Sequence, residues 1–243
     1  MRLRATVAYD GTNFHGFQRQ TNARSVQAEL EDALGRTCGE TIHISGAGRT
    51  DTGVHASGQV IAFDTAWPHG LADLHHALNV RLPQDVAILS LTECPDGFHP
   101  RYSARSRTYE YTVVVSPVRQ PLMRLYAWRL ARDVDAERMN RAAECLIGEH
   151  DFAAFGTAPQ GDVTVRCVLQ AGWSALPTAV YRFTIEANAF LFRMVRRIVV
   201  TLVRAGVGEL SAKDVRDILE SGDSRRVKGI APACGLNLVR VTY

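Results

Sequence analysis

The sequence predicts an α+β fold, and three observations carry that expectation. Apolar residues alternate with polar ones at 2–9, and strand-like runs recur further along. Stretches with helical spacing of apolar residues lie between those runs. Both halves mix the two patterns, and no low-complexity linker separates them. With 243 residues, 46% of them hydrophobic, the chain can bury one large core or two smaller ones. A boundary near 100–106 is expected, giving an N-terminal α+β subdomain over 1–105 and a C-terminal α+β subdomain over 106–243.

Leu3, Ala5, Val7 and Tyr9 share one side of the first strand, 2–9. Ser25 can cap a helix whose Val26, Leu30, Ala33 and Leu34 form a face, with Gly35 as its end. Strands are expected at 58–64 and 86–93, separated by a short helix bearing Leu71, Leu74 and Leu78. After Pro100 come strands at 107–115 and 125–131. A helix over 136–147 carries Met139, Ala143, Leu146 and Ile147, and Gly148 closes it. Strands at 164–173 and 179–187 precede a long helix over 190–205, with Val195, Ile198, Val199 and Leu202 on one side. Ser211-Ala212-Lys213-Asp214 has the form of a capping box, opening a helix that Gly222 stops. The last strand, 236–242, alternates Leu236, Leu238, Val239 and Val241 imperfectly.

Composition narrows the function classes. No apolar run approaches the length of a bilayer span, and the N-terminus lacks the apolar block of a signal peptide, so no membrane association is expected. Cys38, Cys94, Cys145, Cys167 and Cys234 are scattered, odd in number and free of any Cys-x-x-Cys pair. That argues against a disulfide framework or zinc site and fits a reducing, cytoplasmic setting. His75 and His76 are adjacent on a helix, point apart and make a poor chelate, so no metal is expected. The net charge of +3 is small, although 26 of the 28 basic residues are arginine. Arginine suits phosphate contacts and stacking on bases, but a GC-rich genome produces the same bias. Three basic clusters stand out: Arg101, Arg105 and Arg107; Arg193, Arg196 and Arg197; and Arg225, Arg226 and Lys228. Solvated surface is the ordinary role of each, whereas together they could line a groove for a polyanion.

The most informative segment is Gly46-Ala47-Gly48-Arg49-Thr50-Asp51-Thr52-Gly53-Val54-His55-Ala56. Its glycines permit sharp turning and close approach of a ligand. In an extended Arg49-Thr50-Asp51, the arginine and aspartate point to one side, and a neighbouring guanidinium keeps a carboxylate ionised. Such a carboxylate can serve as a nucleophile or a base. A tight turn with a surface ion pair fits the same residues. Phosphate-binding readings fail. Gly48 to Gly53 has P-loop spacing, but Val54 and His55 stand where Lys and Ser/Thr are required. Gly46-Ala47-Gly48 starts a dinucleotide fingerprint, yet Asp51 takes the third glycine position. No nucleotide cofactor is expected.

This segment resembles the signature of the TruA family of tRNA pseudouridine synthases, and further matches follow in the same order. They are Tyr9-Asp10-Gly11-Thr12-Asn13-Phe14-His15-Gly16-Phe17-Gln18-Arg19-Gln20, Ser25-Val26-Gln27, Gly58-Gln59-Val60, Asn79 with Leu82-Pro83, and Phe98-His99-Pro100-Arg101 leading to Arg107-Thr108-Tyr109-Glu110-Tyr111. The second half adds His150-Asp151-Phe152, Phe190-Leu191 with Met194-Val195-Arg196, and Ala231-Pro232-Ala233-Cys234-Gly235-Leu236. Ala189 and Val200 depart from the pattern, each standing where a glycine is usual.

The resemblance implies two ferredoxin-like subdomains with adjoining, mostly antiparallel sheets and a central active-site cleft. It implies a homodimer that needs no cofactor and isomerises uridine to pseudouridine at positions 38, 39 and 40 of the tRNA anticodon stem–loop. Asp51 is then the catalytic nucleophile or base. Arg49 pairs with it or holds the target base out of the RNA stack. Tyr109 matches the family's active-site tyrosine, whereas Tyr111, two residues on, keeps the core role that strand aromatics usually have. Leu236 matches a wall of the uracil pocket, with a core leucine as the alternative. Gln18 and Arg19 match an RNA-contacting region, and Arg101, Arg105, Arg107 and Arg196 are the expected RNA-binding arginines. The rival expectation is a non-catalytic structured-RNA-binding protein or RNA chaperone of the same fold.

Overall fold

The computed structural model describes residues 1–159 and 161–243. The chain divides into two compact units, Met1–Arg105 with Asn237–Tyr243, and Ser106–Leu236. Each mixes helices with a largely antiparallel sheet, so the α+β class read from the sequence holds.

The first unit begins with β1, Arg2–Tyr9, in which the apolar side of the alternating pattern is the buried side. Leu3, Ala5 and Val7 are fully enclosed. Helix α1, Val26–Cys38, starts where Ser25 accepts a hydrogen bond from the Ala28 amide. It runs one turn past Gly35; the left-handed residue that ends it is Gly39, at φ 72°, whose amide donates to the Gly35 carbonyl. Strand β2, Ser45–Gly46, is a two-residue pairing that no periodicity could reveal. Strand β3, His55–Asp64, begins three residues before the expected 58. Helix α2, Leu71–Arg81, buries Leu74 and Leu78, and β4, Val86–Glu93, follows it. β1 pairs antiparallel with β3 on one edge and with β4 on the other, which makes it the centre of this sheet.

The second unit opens with β5, Ser106–Val115. The strand expected at 125–131 contracts to β6, Trp128–Leu130, because a 3₁₀ turn at Pro121–Met123 precedes it. Helix α3, Ala136–Glu144, is shorter than expected, and Gly148 opens a further strand, β7, Gly148–Asp151. Strands β8, Val165–Leu176, and β9, Val180–Ala187, form a hairpin. The order is β5-β9-β8-β7, all antiparallel, with β6 parallel to β5. Helix α4, Met194–Gly206, starts four residues later than expected because Arg193 turns left-handed at φ 63°. Its Ile198, Val199 and Leu202 are fully buried. Helix α5, Ala212–Ser221, has the complete capping box, with Ser211 and Asp214 bonded reciprocally. Helix α3 packs against α4, α5 and β8.

The final strand, β10, Leu236–Thr242, runs back into the first unit from Asn237 onward. Sequence order grouped it with 106–243. Pairing decides otherwise: Asn237 and Leu238 lie parallel to His55 and Ala56 of β3, and the Arg105 amide donates to the Thr242 carbonyl. Gly58 has no room for a Cβ against the Val239 carbonyl, so the two strands meet closely there. Among the described residues no helix is long and apolar enough to cross a membrane.

Candidate active site

Asp51 sits on the loop that enters β3, and the backbone of this loop is tied down along its length. The Ala47 amide donates to Val60, the Gly48 carbonyl accepts from the Gln59 side chain, and the Thr50 carbonyl accepts from the Phe17 amide. The Val54 amide closes a turn onto the Asp51 carbonyl, and the Gly53 amide reaches Phe14. Thr50 is buried, Arg49 is exposed and Asp51 is half-buried, so burial alternates as in an extended segment. Arg49 and Asp51 are thus the more accessible residues on either side of buried Thr50.

The underside of the loop comes from the segment 9–17. Gly11 packs so close to the Val54 carbonyl that a Cβ there would collide with it. Gly16, at φ 95°, brings its Cα side against the Thr50 carbonyl, where a Cβ would stand 2.8 Å away. The Gly11 amide donates to Nδ1 of His55 at 3.0 Å, which makes that nitrogen an acceptor. An Asp10 carboxylate oxygen lies 3.1 Å from the same nitrogen. The sequence alone assigns these residues no individual role. The signal for them was the clustering of Gly11, Gly16 and two phenylalanines in one short stretch.

Tyr109 and Leu236 belong to the second unit. Tyr109 lies on β5, opposite Ile185 of β9, and is 8% exposed. Its ring meets Phe190 edge-on, with centroids 5.0 Å apart, which fixes the ring plane. Tyr111 is fully buried, donates to the Pro232 carbonyl, and packs on Gly235 at a point where a Cβ would collide with its ring. Burial raises its phenol pKa well above the ordinary range. That is the core role expected of it. Leu236 is buried directly after the Ala233–Gly235 turn.

The expected RNA-binding residues divide by exposure. Gln18 and Arg105 are exposed, and Arg101 is half-buried with its guanidinium 5.7 Å from the Tyr102 ring centroid. Arg19 is bound to buried Glu31 at 2.6 Å, which ties it to α1. Arg107 is only 9% exposed and donates to the Asn188 carbonyl, so it is not part of an open basic surface. Arg196 donates to the Ala231 carbonyl, and Arg193 stacks over Phe192. Arg197 donates to the Ala154 carbonyl, so Arg193, which precedes α4, and Arg196 and Arg197 within it touch different neighbours and do not form one uniform solvated face.

Comparison with known proteins places this geometry. A family model described as tRNA pseudouridine synthase matches residues 5–103 and 142–243. The tRNA pseudouridine synthase A of Thermotoga neapolitana is 38% identical over 243 residues, covering 100% of this chain and 99% of its own. That of a Thermoanaerobacter species is 40% identical over 238 residues, 98% of this chain and 97% of its own. That of Roseiflexus castenholzii is 42% identical, with 98% and 88% covered. Both the loop segment and the strands that hold it fall inside the matched regions, and the chain belongs to the tRNA pseudouridine synthase family.

Proposed function

We propose that the protein isomerises uridine to pseudouridine in tRNA, at positions 38, 39 and 40 of the anticodon stem–loop, with Asp51 as the catalytic carboxylate. The observation that carries this reading is a half-buried aspartate on a loop whose backbone is anchored on both sides of it, in a chain of this family. The protein is an isomerase acting on tRNA. The reaction breaks the glycosidic C–N bond, forms a C–C bond from C1′ to C5 of the same uracil, and moves the C5 proton to solvent while N1 gains one. Its atoms balance without a co-reactant. Asp51 serves it as a nucleophile at sugar or base, or as a base at the ribose. The non-catalytic alternative has no supporting observation.

A stacked uridine must leave the stem before C1′ and C5 can be reached, at a cost of a few kcal/mol. Arg49, exposed beside Asp51, is suited to fill the gap by stacking and by bonding phosphate. Tyr109 is assigned to the uracil ring and to proton movement at C5, and Leu236 to the apolar wall beside it. Gln18, Arg101, Arg105 and Arg196 are assigned to the RNA backbone; Arg19 and Arg107 act on the protein itself. The active form is proposed to be a cytoplasmic homodimer.

The test is incubation of wild type and Asp51→Asn with unmodified tRNA transcript, followed by carbodiimide mapping. Wild type is expected to mark positions 38, 39 and 40. The variant keeps the shape and loses the charge, so it is expected to bind tRNA within several-fold and form no pseudouridine, because affinity comes mainly from phosphate contacts. Multiple turnover by pure Asp51→Asn protein overturns the assignment of Asp51, and marks elsewhere overturn the positions.

A further inference from the structure

Three polar side chains from distant parts of the chain meet in the core beneath Asp51. Tyr9 is 4% exposed, Gln59 is fully buried and Thr50 is 7% exposed. The Tyr9 hydroxyl lies 2.8 Å from Oγ1 of Thr50, the residue before Asp51. Gln59 donates through Nε2 to the Gly48 carbonyl at 2.9 Å and towards the Tyr9 hydroxyl at 3.5 Å. Its Oε1 accepts from the Val60 amide at 3.1 Å, which sets which end of the amide faces the loop.

The Val60 bond therefore sets the direction of the Gln59 end of this chain of bonds. Gln59 points one amide proton at the Gly48 carbonyl and the other towards the Tyr9 hydroxyl, and either hydroxyl of the Tyr9–Thr50 pair can donate to the other. Burial pushes the Tyr9 phenol up to about 12, against the opposing pull of its bonds to Thr50 and Gln59, so the hydroxyl keeps its proton at neutral pH. Burying three polar groups in an apolar core costs free energy unless each is paired, and a phenylalanine at 9 would fill the same space without that cost. What the polar set adds is direction: it fixes Gly48 and Thr50, the two loop residues that bracket Arg49 and precede Asp51.

We infer that Tyr9 and Gln59 are positioning residues for Asp51, setting the turnover rate through Thr50 and Gly48 without touching RNA. The inference rests on the reading of Asp51 as the catalytic carboxylate. A misplacement of about 1 Å at a reacting group can cost about a hundredfold in rate. Loss of one bond in this chain is thus a kinetic event, with binding unaffected.

The experiment compares Tyr9→Phe, Thr50→Val, their double variant and Thr50→Ser, with the folded fraction measured for each. Tyr9→Phe and Thr50→Val are expected to lower kcat per folded molecule by roughly tenfold or more, while KM and tRNA Kd stay within about twofold. The double variant should be no slower than the slower single one, since both remove the same bond. Thr50→Ser keeps the hydroxyl and should restore turnover. The shape of the pH–rate profile should survive in Tyr9→Phe, because Tyr9 transfers no proton to substrate. Wild-type kcat per folded molecule in both Tyr9→Phe and Thr50→Val overturns the inference, as does a loss confined to KM. Turnover by Asp51→Asn overturns the reading beneath it instead, so the two failures are separable.

Discussion

Arg105 and Arg107 stand two residues apart and do different work. Arg105 is exposed, whereas Arg107 is buried with its guanidinium on the Asn188 carbonyl. Replacing Arg107 with alanine removes a buried side chain and its charged hydrogen bond to the Asn188 carbonyl and should cost about 1.5–3 kcal/mol of stability, read by denaturant titration. Arg105→Ala should leave stability within about 0.5 kcal/mol. In tRNA binding the order reverses: Arg105→Ala should reduce the slope of log Kd against log salt by about one, and Arg107→Ala should leave the slope unchanged. An unchanged slope in Arg105→Ala removes that residue from the RNA surface. Sequence could not separate the pair, because equal spacing puts both on one side of an extended chain. What buries Arg107 is β9, whose Ala187 lies opposite it, and that pairing spans 80 residues. The Asp51 loop was legible for the opposite reason: its glycines, arginine and aspartate are contiguous. The Tyr9–Thr50–Gln59 chain was not legible, since nothing local joins positions 9, 50 and 59.

At the scale of elements, local chemistry was read well and pairing was not. The capping box at Ser211 is complete in four consecutive residues, and it formed as written. Ser211→Ala should cost about 1 kcal/mol and lower the melting temperature by about 2–4 °C, with turnover per folded molecule unchanged. A variant that melts with wild type would show that α5 is held by Val215, Ile218 and Leu219 alone. Gly35 misled because a glycine inside a helix costs only about 1 kcal/mol, which packing of Leu30 and Leu34 readily offsets, while Gly39 takes the left-handed position. β2 and β7 are too short to show a period of two. The delayed start of α4 depends on a left-handed arginine, a conformation that an arginine side chain does not advertise.

For the whole molecule, the path of the chain matters more than any one element. The unit that carries Asp51 takes its last strand from 237–243, although 131 residues of the other unit, 106–236, lie between. The Asn237 side chain bonds to Ser57 across a separation of 180 residues. Removing 237–243 should therefore open sites within 1–105 to a protease, with cleavage near β3 seen by mass spectrometry. Cleavage confined to 106–236 would show that β10 is dispensable for the first unit. The same path has a consequence during synthesis. A ribosome, at about 5–20 residues per second, delivers the Asp51 loop before the whole of 106–236, yet the strand that pairs with β3 emerges only after them. Until then the nascent chain holds β3 with an unsatisfied edge beside a finished loop. The unit begun before the other is completed after it, so a polypeptide interrupted within 106–236 contains every residue of the Asp51 loop and still lacks the strand that pairs beside it.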